Sequence, residues 1–156
     1  MHLLRVRRQL LSINLPDGYR LRVLDEVDST NAEAARIVAQ LAGPEWVLAR
    51  RQTNGRGRRG RAWSDPAGNF AASLVLFPQH PPDQIALRSF VAALALFDAL
   101  VATTGRSDTF ALKWPNDVLV NGRKIAGILL EYHQYKGQAF LFMAFGVNLI
   151  TSPGLP

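Results

Sequence analysis

With 156 residues, 48% of them hydrophobic and 19% charged, the chain has the composition of one globular domain with a real core, which argues against a disordered tail or a fibre. A formal charge of +6 suits a polyanion, but four arginines fall in the seven residues Gly55 to Arg61, so the excess is local. The sequence has no cysteine, which excludes a disulfide framework, a thiolate zinc site and a cysteine nucleophile, and fits a reducing cytoplasm.

The opening Met1 to Gln9 carries arginines at positions 5, 7 and 8 without a following apolar run or small-residue cleavage site, so no signal peptide is read there. Residues 1–18 are taken as an extension, and one domain as 19–156. Pro16, Asp17 and Gly18 read as a turn. Tyr19 to Leu24 then alternates Leu21 and Val23 with Arg20 and Arg22, the pattern of a half-buried strand.

In Asp28-Ser29-Thr30-Asn31-Ala32-Glu33 a hydroxyl three residues before a glutamate predicts a capping box, opening a helix that runs to Leu41 and ends at Gly43 and Pro44. Trp46 to Arg50 predicts a second strand. Gln52 to Asn69 is polar, rich in glycine and arginine and without period. A loop of that length in a compact domain is usually functional, and its composition suits a lid.

Phe70 to Phe77 predicts a strand and Gln84 to Thr103 a long apolar core helix stopped by Gly105. Its most apolar part, Phe90 to Leu100, contains Asp98 and falls short of the roughly 20 residues of a bilayer span, so a soluble protein is expected. Short strands follow at 111–114, 118–120, 124–133 and 138–148, with Asn121 and Gly122 as a hairpin turn. Strands grouped with two helices predict an α+β fold, a mixed and mostly antiparallel sheet flanked by helices.

Three segments carry chemistry. Gly55-Arg56-Gly57-Arg58-Arg59-Gly60-Arg61 combines a backbone that can approach a ligand closely with guanidinium groups suited to paired bonds with carboxylate or phosphate. By itself it reads equally as an RNA-binding tract or a solvated loop. Ser29, Thr30 and Asn31 offer neutral hydrogen-bonding groups where a strand hands over to a helix, or serve only as a cap. Lys113-Trp114-Pro115-Asn116-Asp117 places a strand-breaking proline before an amide and a carboxylate, seven residues ahead of Lys124 in Lys124-Ile125-Ala126-Gly127.

Together these segments resemble the biotin protein ligase family: the Gly-Arg-Gly-Arg-x-Gly-Arg loop preceded by Gln52 and followed by Trp63, the Lys-Trp-Pro-Asn-Asp run, the lysine segment at Lys124, and Gly146-Val147-Asn148, in family order from about Leu24 to Asn148. The resemblance implies a synthetase-like biotin and lipoate ligase fold. The implied activity is formation of biotinyl-5′-AMP from biotin and ATP, with magnesium, and transfer of biotin to a lysine of a carboxylase's biotin carboxyl carrier domain. It assigns Ser29, Thr30, Asn31, Gln52, Gly55, Arg56 and Gly127 to biotin, and Arg58, Arg59, Arg61, Trp63, Asn116, Lys124 and Asn148 to the adenylate. Lys124 and Arg58 carry the catalytic charge, with Asp117 as the metal ligand.

The repressor class of that family carries a separate helix-turn-helix domain ahead of the first strand, and residues 1–18 are too short for one, so no specific nucleic acid is expected; the apolar segments predict no membrane span, and a homodimer is left open. Family catalytic regions usually continue past the Gly-x-Asn segment and add a small β-barrel, parts not expected within 156 residues. A lipoate or octanoate ligase, an RNA-binding module and a biotin-binding remnant without turnover are the alternatives.

Overall fold

The computed structural model describes residues 14–150. The basic opening segment and the residues after Ile150, which bear on the extension and on where the domain stops, lie outside the described residues.

One seven-stranded sheet organises the chain, in the order β1-β2-β3-β7-β6-β5-β4. Its strands are β1 (Arg20–Leu24), β2 (Glu45–Ala49), β3 (Phe70–Leu76), β4 (Phe110–Lys113), β5 (Asp117–Val120), β6 (Arg123–Tyr135) and β7 (Gln138–Val147). β1 and β2 pair in parallel and every other neighbouring pair is antiparallel, which bears out the mixed, mostly antiparallel expectation. Two tight turns make the right-hand half of the sheet a meander. Asn121 and Gly122 turn at φ 48° and 77°, and Lys136 and Gly137 at 49° and 80°. Positive φ at two consecutive residues matches the right-handed twist of the strands they join. The Lys136–Gly137 turn was not expected from the sequence.

Helix α1 (Thr30–Ile37) and a following 3-10 turn (Val38–Gln40) cover one face, and α2 (Pro82–Ala86) with α3 (Arg88–Thr104) the other. Alternation along β3 separates the two layers: Val75 packs with Ala34, Val38, Phe140 and Phe142, while its neighbour Leu74 packs with Ile85, Ala92, Ala93, Ile128 and Leu141. Phe142, Ile128 and Leu141 are the largest fully enclosed side chains. Each contributes about 1.5–3 kcal/mol by leaving water.

Three expectations need correction. The hydroxyls at the start of α1 form no capping box: Ser29 is the N-cap without a side-chain bond, and Glu33 turns to Arg36 at 2.7 Å. The Thr30 hydroxyl is engaged elsewhere, as described below.

The long helix is less a core element than expected. α3 buries Ala92 and Ala93, whereas Leu87, Val91 and Leu94 are half or more exposed and Phe90 touches the exposed Trp114 at 5.8 Å. Its apolar residues surround the helix, so composition did not reveal which side faces the sheet. With α2 joined through Leu87, the 23 residues Pro82–Thr104 are long and apolar enough, by length and composition, to cross a membrane, and 17% of the most apolar window is buried. The helical bounds lie close to the expected Gln84 to Thr103; what fails is the expectation that the apolar stretch stops at Phe90–Leu100, because Asp98 does not interrupt it. Gly105 ends it as expected, at φ 70° with its N–H on the Val101 carbonyl.

The glycine and arginine loop is also less irregular than its sequence. Arg56 and Ala62 form a bridge, Gly57 N donates to Arg61 O at 2.7 Å and Trp63 N to Gly55 O at 2.9 Å. Arg59 and Gly60 turn at φ 58° and 71°. The segment folds back on itself as a small hairpin arm over the α1 face.

Candidate active site

Between α1, the arginine arm and the middle of the sheet lies a cavity of about 440 Å³. It brings together Ser29, Thr30, Asn31, Gln52, Arg56, Arg58, Arg59, Arg61, Trp63, Asn116, Asp117, Lys124 and Gly127, four sequence segments that only the fold makes neighbours. Gly55 and Asn148 do not line it. A Cβ at Gly55 would sit 2.8 Å from the Trp63 carbonyl oxygen, so that glycine lets the arm close on itself. Asn148 Oδ1 instead accepts from Asn69 Nδ2 at 3.2 Å beyond the end of β7.

One end of the cavity is neutral and closed. Thr30 and Asn31 are buried at 2% exposure and Ser29 at 4%, so any polar group of a ligand placed there must find its partners among them. Gln52 Oε1 accepts from Thr30 N at 2.9 Å and lies 3.2 Å from Thr30 Oγ1. Asp65 Oδ2 takes the Gln52 backbone N–H at 3.1 Å and lies 3.5 Å from Gln52 Nε2, which fixes which way the amide faces. The other Asp65 oxygen is buried without a partner, and burial pushes its carboxyl up from the usual range against the lowering effect of the Gln52 bonds. Asp28 anchors the strand-to-helix turn: its carboxylate takes Ser29 N and two bonds from Arg36. The Arg36 guanidinium is the largest cause that lowers Asp28 to about 2.

The other end is cationic. Arg58 donates to Asn116 Oδ1 at 3.0 Å, and Asn116 is itself held by its Nδ2 on the Ile128 carbonyl at 2.6 Å. The Trp114–Pro115 bond is cis, and Asn116 follows it at 8% exposure. Asn116 therefore ties the arm to β6, a positioning duty that its motif did not announce. Lys124 Nζ lies 2.8 Å from Asp117 Oδ1 and 5.6 Å from the centre of the Trp63 ring.

Two glycines form the floor. Gly127 and Gly146 are register partners on β6 and β7, and the Trp63 indole rests on them: a Cβ at Gly146 would stand 2.5 Å from Trp63 Cε2, and one at Gly127 3.3 Å from Cζ3. In a strand, a missing side chain commonly marks such a close approach. Leu129, Ala144 and Phe145 also line the cavity and were not foreseen, having no chemical signature apart from lying beside the glycines.

Among the described residues no group of three or more His, Cys, Asp or Glu could hold a metal ion. Asp117, the expected metal ligand, is a lone carboxylate already bonded to Lys124. A lone carboxylate suits a magnesium ion that arrives with a nucleotide's phosphates, not one caged by the protein alone.

Residues 23–148 match the model of the biotin/lipoate A/B protein ligase family. The chain belongs to that family. Over 132 residues it is 54% identical to a biotin--[acetyl-CoA-carboxylase] ligase of Paracoccus denitrificans, an alignment covering 84% of this chain and 55% of the relative. A biotin protein ligase from Aquifex aeolicus in complex with biotin and ATP superposes with a TM-score of 0.71 at 32% identity, covering 86% of this chain and 55% of that one. The biotin protein ligase from Leishmania major in complex with biotinyl-5-AMP gives 0.74 at 25% identity, with 90% and 61% covered. The chain thus spans little more than half the length of these ligases.

Proposed function

We propose that this chain is the catalytic region of a biotin protein ligase. The observation that carries the reading is the division of one cavity into a closed neutral end and a cationic end. Biotin has the matching polarity: a neutral ureido ring at one end and a carboxylate at the other. Ser29, Thr30 and Gln52 supply donors and acceptors for the ring without burying a charge. Asn31 supports them from beneath. Arg58 and Lys124 mark the cationic end, where the carboxylate meets the nucleotide, and Arg56, Arg59 and Arg61 line the same cavity. The relatives named as biotin ligases, and the solved ligases holding biotin with ATP or biotinyl-5-AMP, support the same substrates.

In the first step a biotin carboxylate oxygen attacks the α-phosphorus of ATP, an oxygen–phosphorus bond forms, and the bond to the β-phosphate breaks to release pyrophosphate. Two anions must approach, and cations fixed beforehand reduce that repulsion in the transition state. Lys124 is half-exposed at the mouth and can exchange Asp117 for a substrate oxygen. The arm, tied down by Arg58 to Asn116, shields the mixed anhydride from water. In the second step a neutral carrier lysine amine attacks the acyl carbon, AMP leaves with the bonding pair, and the amine loses a proton. Trp63 presents an aromatic face beside the phosphate-binding cations for the adenine. Asn148, held outside the cavity by Asn69, has no direct role in this proposal.

Magnesium belongs to this reading as an ion carried chiefly by the nucleotide phosphates, which is its usual mode in nucleotide sites. The acceptor is a biotin carboxyl carrier domain and the compartment the cytoplasm, in keeping with a chain free of cysteine. Pyrophosphate release from this chain, measured with biotin and ATP and again with lipoate, tests the proposal. Biotin-dependent release supports it. Turnover with lipoate in preference to biotin overturns it.

A further inference from the structure

Glu131, on β6, belongs to none of the motifs, yet it sits at the far end of a polar chain that leads to the neutral end of the cavity. Asn31 Nδ2 donates to Glu131 Oε2 at 2.8 Å. Ser73 Oγ, fully buried in the otherwise apolar β3, stands 2.6 Å from Asn31 Oδ1 and 2.7 Å from Thr30 Oγ1. Thr30 Oγ1 in turn lies 3.2 Å from Gln52 Oε1.

Counting hydrogens gives the chain a direction. A carboxylate only accepts, so Asn31 must turn its NH2 to Glu131 and its oxygen to Ser73. Ser73 has one hydrogen, and the Asn31 oxygen has none to offer, so Ser73 donates to Asn31. The contact at 2.7 Å between Ser73 and Thr30 then requires the Thr30 hydrogen. Nothing remains between Thr30 Oγ1 and Gln52 Oε1, the longest separation in the chain. The Gln52 amide cannot turn to fill it, because its oxygen holds Thr30 N and its nitrogen faces Asp65. Two acceptors 3.2 Å apart with no hydrogen between them form a seat for an N–H brought by a ligand.

We propose that Glu131 is a positioning residue that sets the hydrogen-bond direction through Asn31 and Ser73, and so makes Thr30 and Gln52 a paired acceptor for a substrate N–H. Resting on the biotin reading, this assigns that N–H to the ureido ring. Replacing the carboxylate by an amide of the same shape, Glu131→Gln, removes the direction. The introduced amide can donate to Asn31, Asn31 then donates to Ser73, Ser73 to Thr30, and the Thr30 hydrogen fills the seat. A second change restores it: with Asn31→Asp added to Glu131→Gln, the new carboxylate accepts from both the introduced amide and Ser73.

The test has a ligand-free arm and a binding arm. In ¹⁵N,¹³C-labelled protein without ligand, a scalar coupling across the hydrogen bond from Asn31 Nδ2 to the Glu131 carboxyl carbon is expected. Its absence overturns the proposal. By calorimetry, Glu131→Gln is expected to weaken biotin binding about tenfold or more, the effect of one mismatched buried hydrogen bond, while kcat for pyrophosphate release at saturating biotin changes little. The double variant is expected to recover most of the affinity, which a merely structural role for Glu131 would not produce. Unchanged affinity in Glu131→Gln, or a double variant no better than the single one, overturns the proposal. If the unaltered chain shows the coupling but binds no biotin, the direction of the chain stands and the substrate reading falls.

Discussion

Lys124 Nζ meets Asp117 Oδ1 at 2.8 Å although the strand register pairs Asp117 with Gly127. The reason is a bulge. Between β5 and β6 the register shifts by one residue at Val118 and Leu119, leaving Ile125 without a partner. Residues three apart on a regular strand face opposite ways, but here Lys124 Nζ lies within 3.1 Å of where a Gly127 Cβ would be. Bulges re-aim side chains in this manner.

The bulge gives Lys124 a specific duty at the cavity mouth. Lys124→Ala is expected to lower the rate of adenylate formation about 10²–10³-fold, the usual effect of removing one fixed group that stabilises transition-state charge. Biotin affinity, measured by calorimetry without ATP, should change little. Equal losses in both would mean that the lysine holds the vitamin rather than the developing charge.

Much of this arrangement could be read from the residues and some could not. The strands announced themselves by alternation and by the Asn121–Gly122 turn, and the arm, Ser29, Thr30 and Lys124 by their motifs. The bulge at Ile125 leaves no mark in composition, and without it Lys124 would face away from Gly127. Ser73 and Glu131 did leave a mark, as a lone hydroxyl and a lone carboxylate in apolar strands, but they touch Asn31 only through pairings 42 and 100 residues long in sequence. The buried side of α3 was illegible because apolar residues surround it.

Gly146→Ala tests the floor. Its Cβ would stand 2.5 Å from Trp63 Cε2 and 2.7 Å from Nε1, closer than real atoms approach, so the indole must leave. A shifted Trp63 fluorescence spectrum and weaker nucleotide binding are expected, with the far-ultraviolet circular dichroism retained. An unaltered spectrum would show that the indole does not rest there in solution.

Arg58→Gly cuts the link from the arm to Asn116. One hydrogen bond to a charged group contributes about 1.5–3 kcal/mol, enough to change how often the arm opens. Free biotinyl-5′-AMP, assayed in the filtrate after a single turnover, should rise. Retention equal to that of the unaltered chain would contradict a closing role.

Acid should loosen the entry to α1. Asp28 is held at about 2, below its ordinary 3.8, with the Arg36 guanidinium as the largest cause. A lowered carboxyl stabilises the fold fully above its unfolded value, and that contribution is lost as pH falls from there through the folded value. The group is half-exposed, so solvent moderates the effect. Asp28→Asn should melt earlier than the unaltered chain at pH 7, and the difference should shrink between pH 4 and pH 2. A difference that stays constant over that interval would rule out the ion pair as its source.

The facing glycines at positions 127 and 146 have a cost beyond catalysis. Each gives up roughly 0.5–1 kcal/mol relative to alanine within a strand. The sheet is therefore thinnest beneath Trp63, and the indole of the arm supplies there the packing that the two strands lack. By mass action, any ligand that binds only the folded chain and keeps the arm down raises its resistance to heat, by a margin that grows with the logarithm of that ligand's concentration.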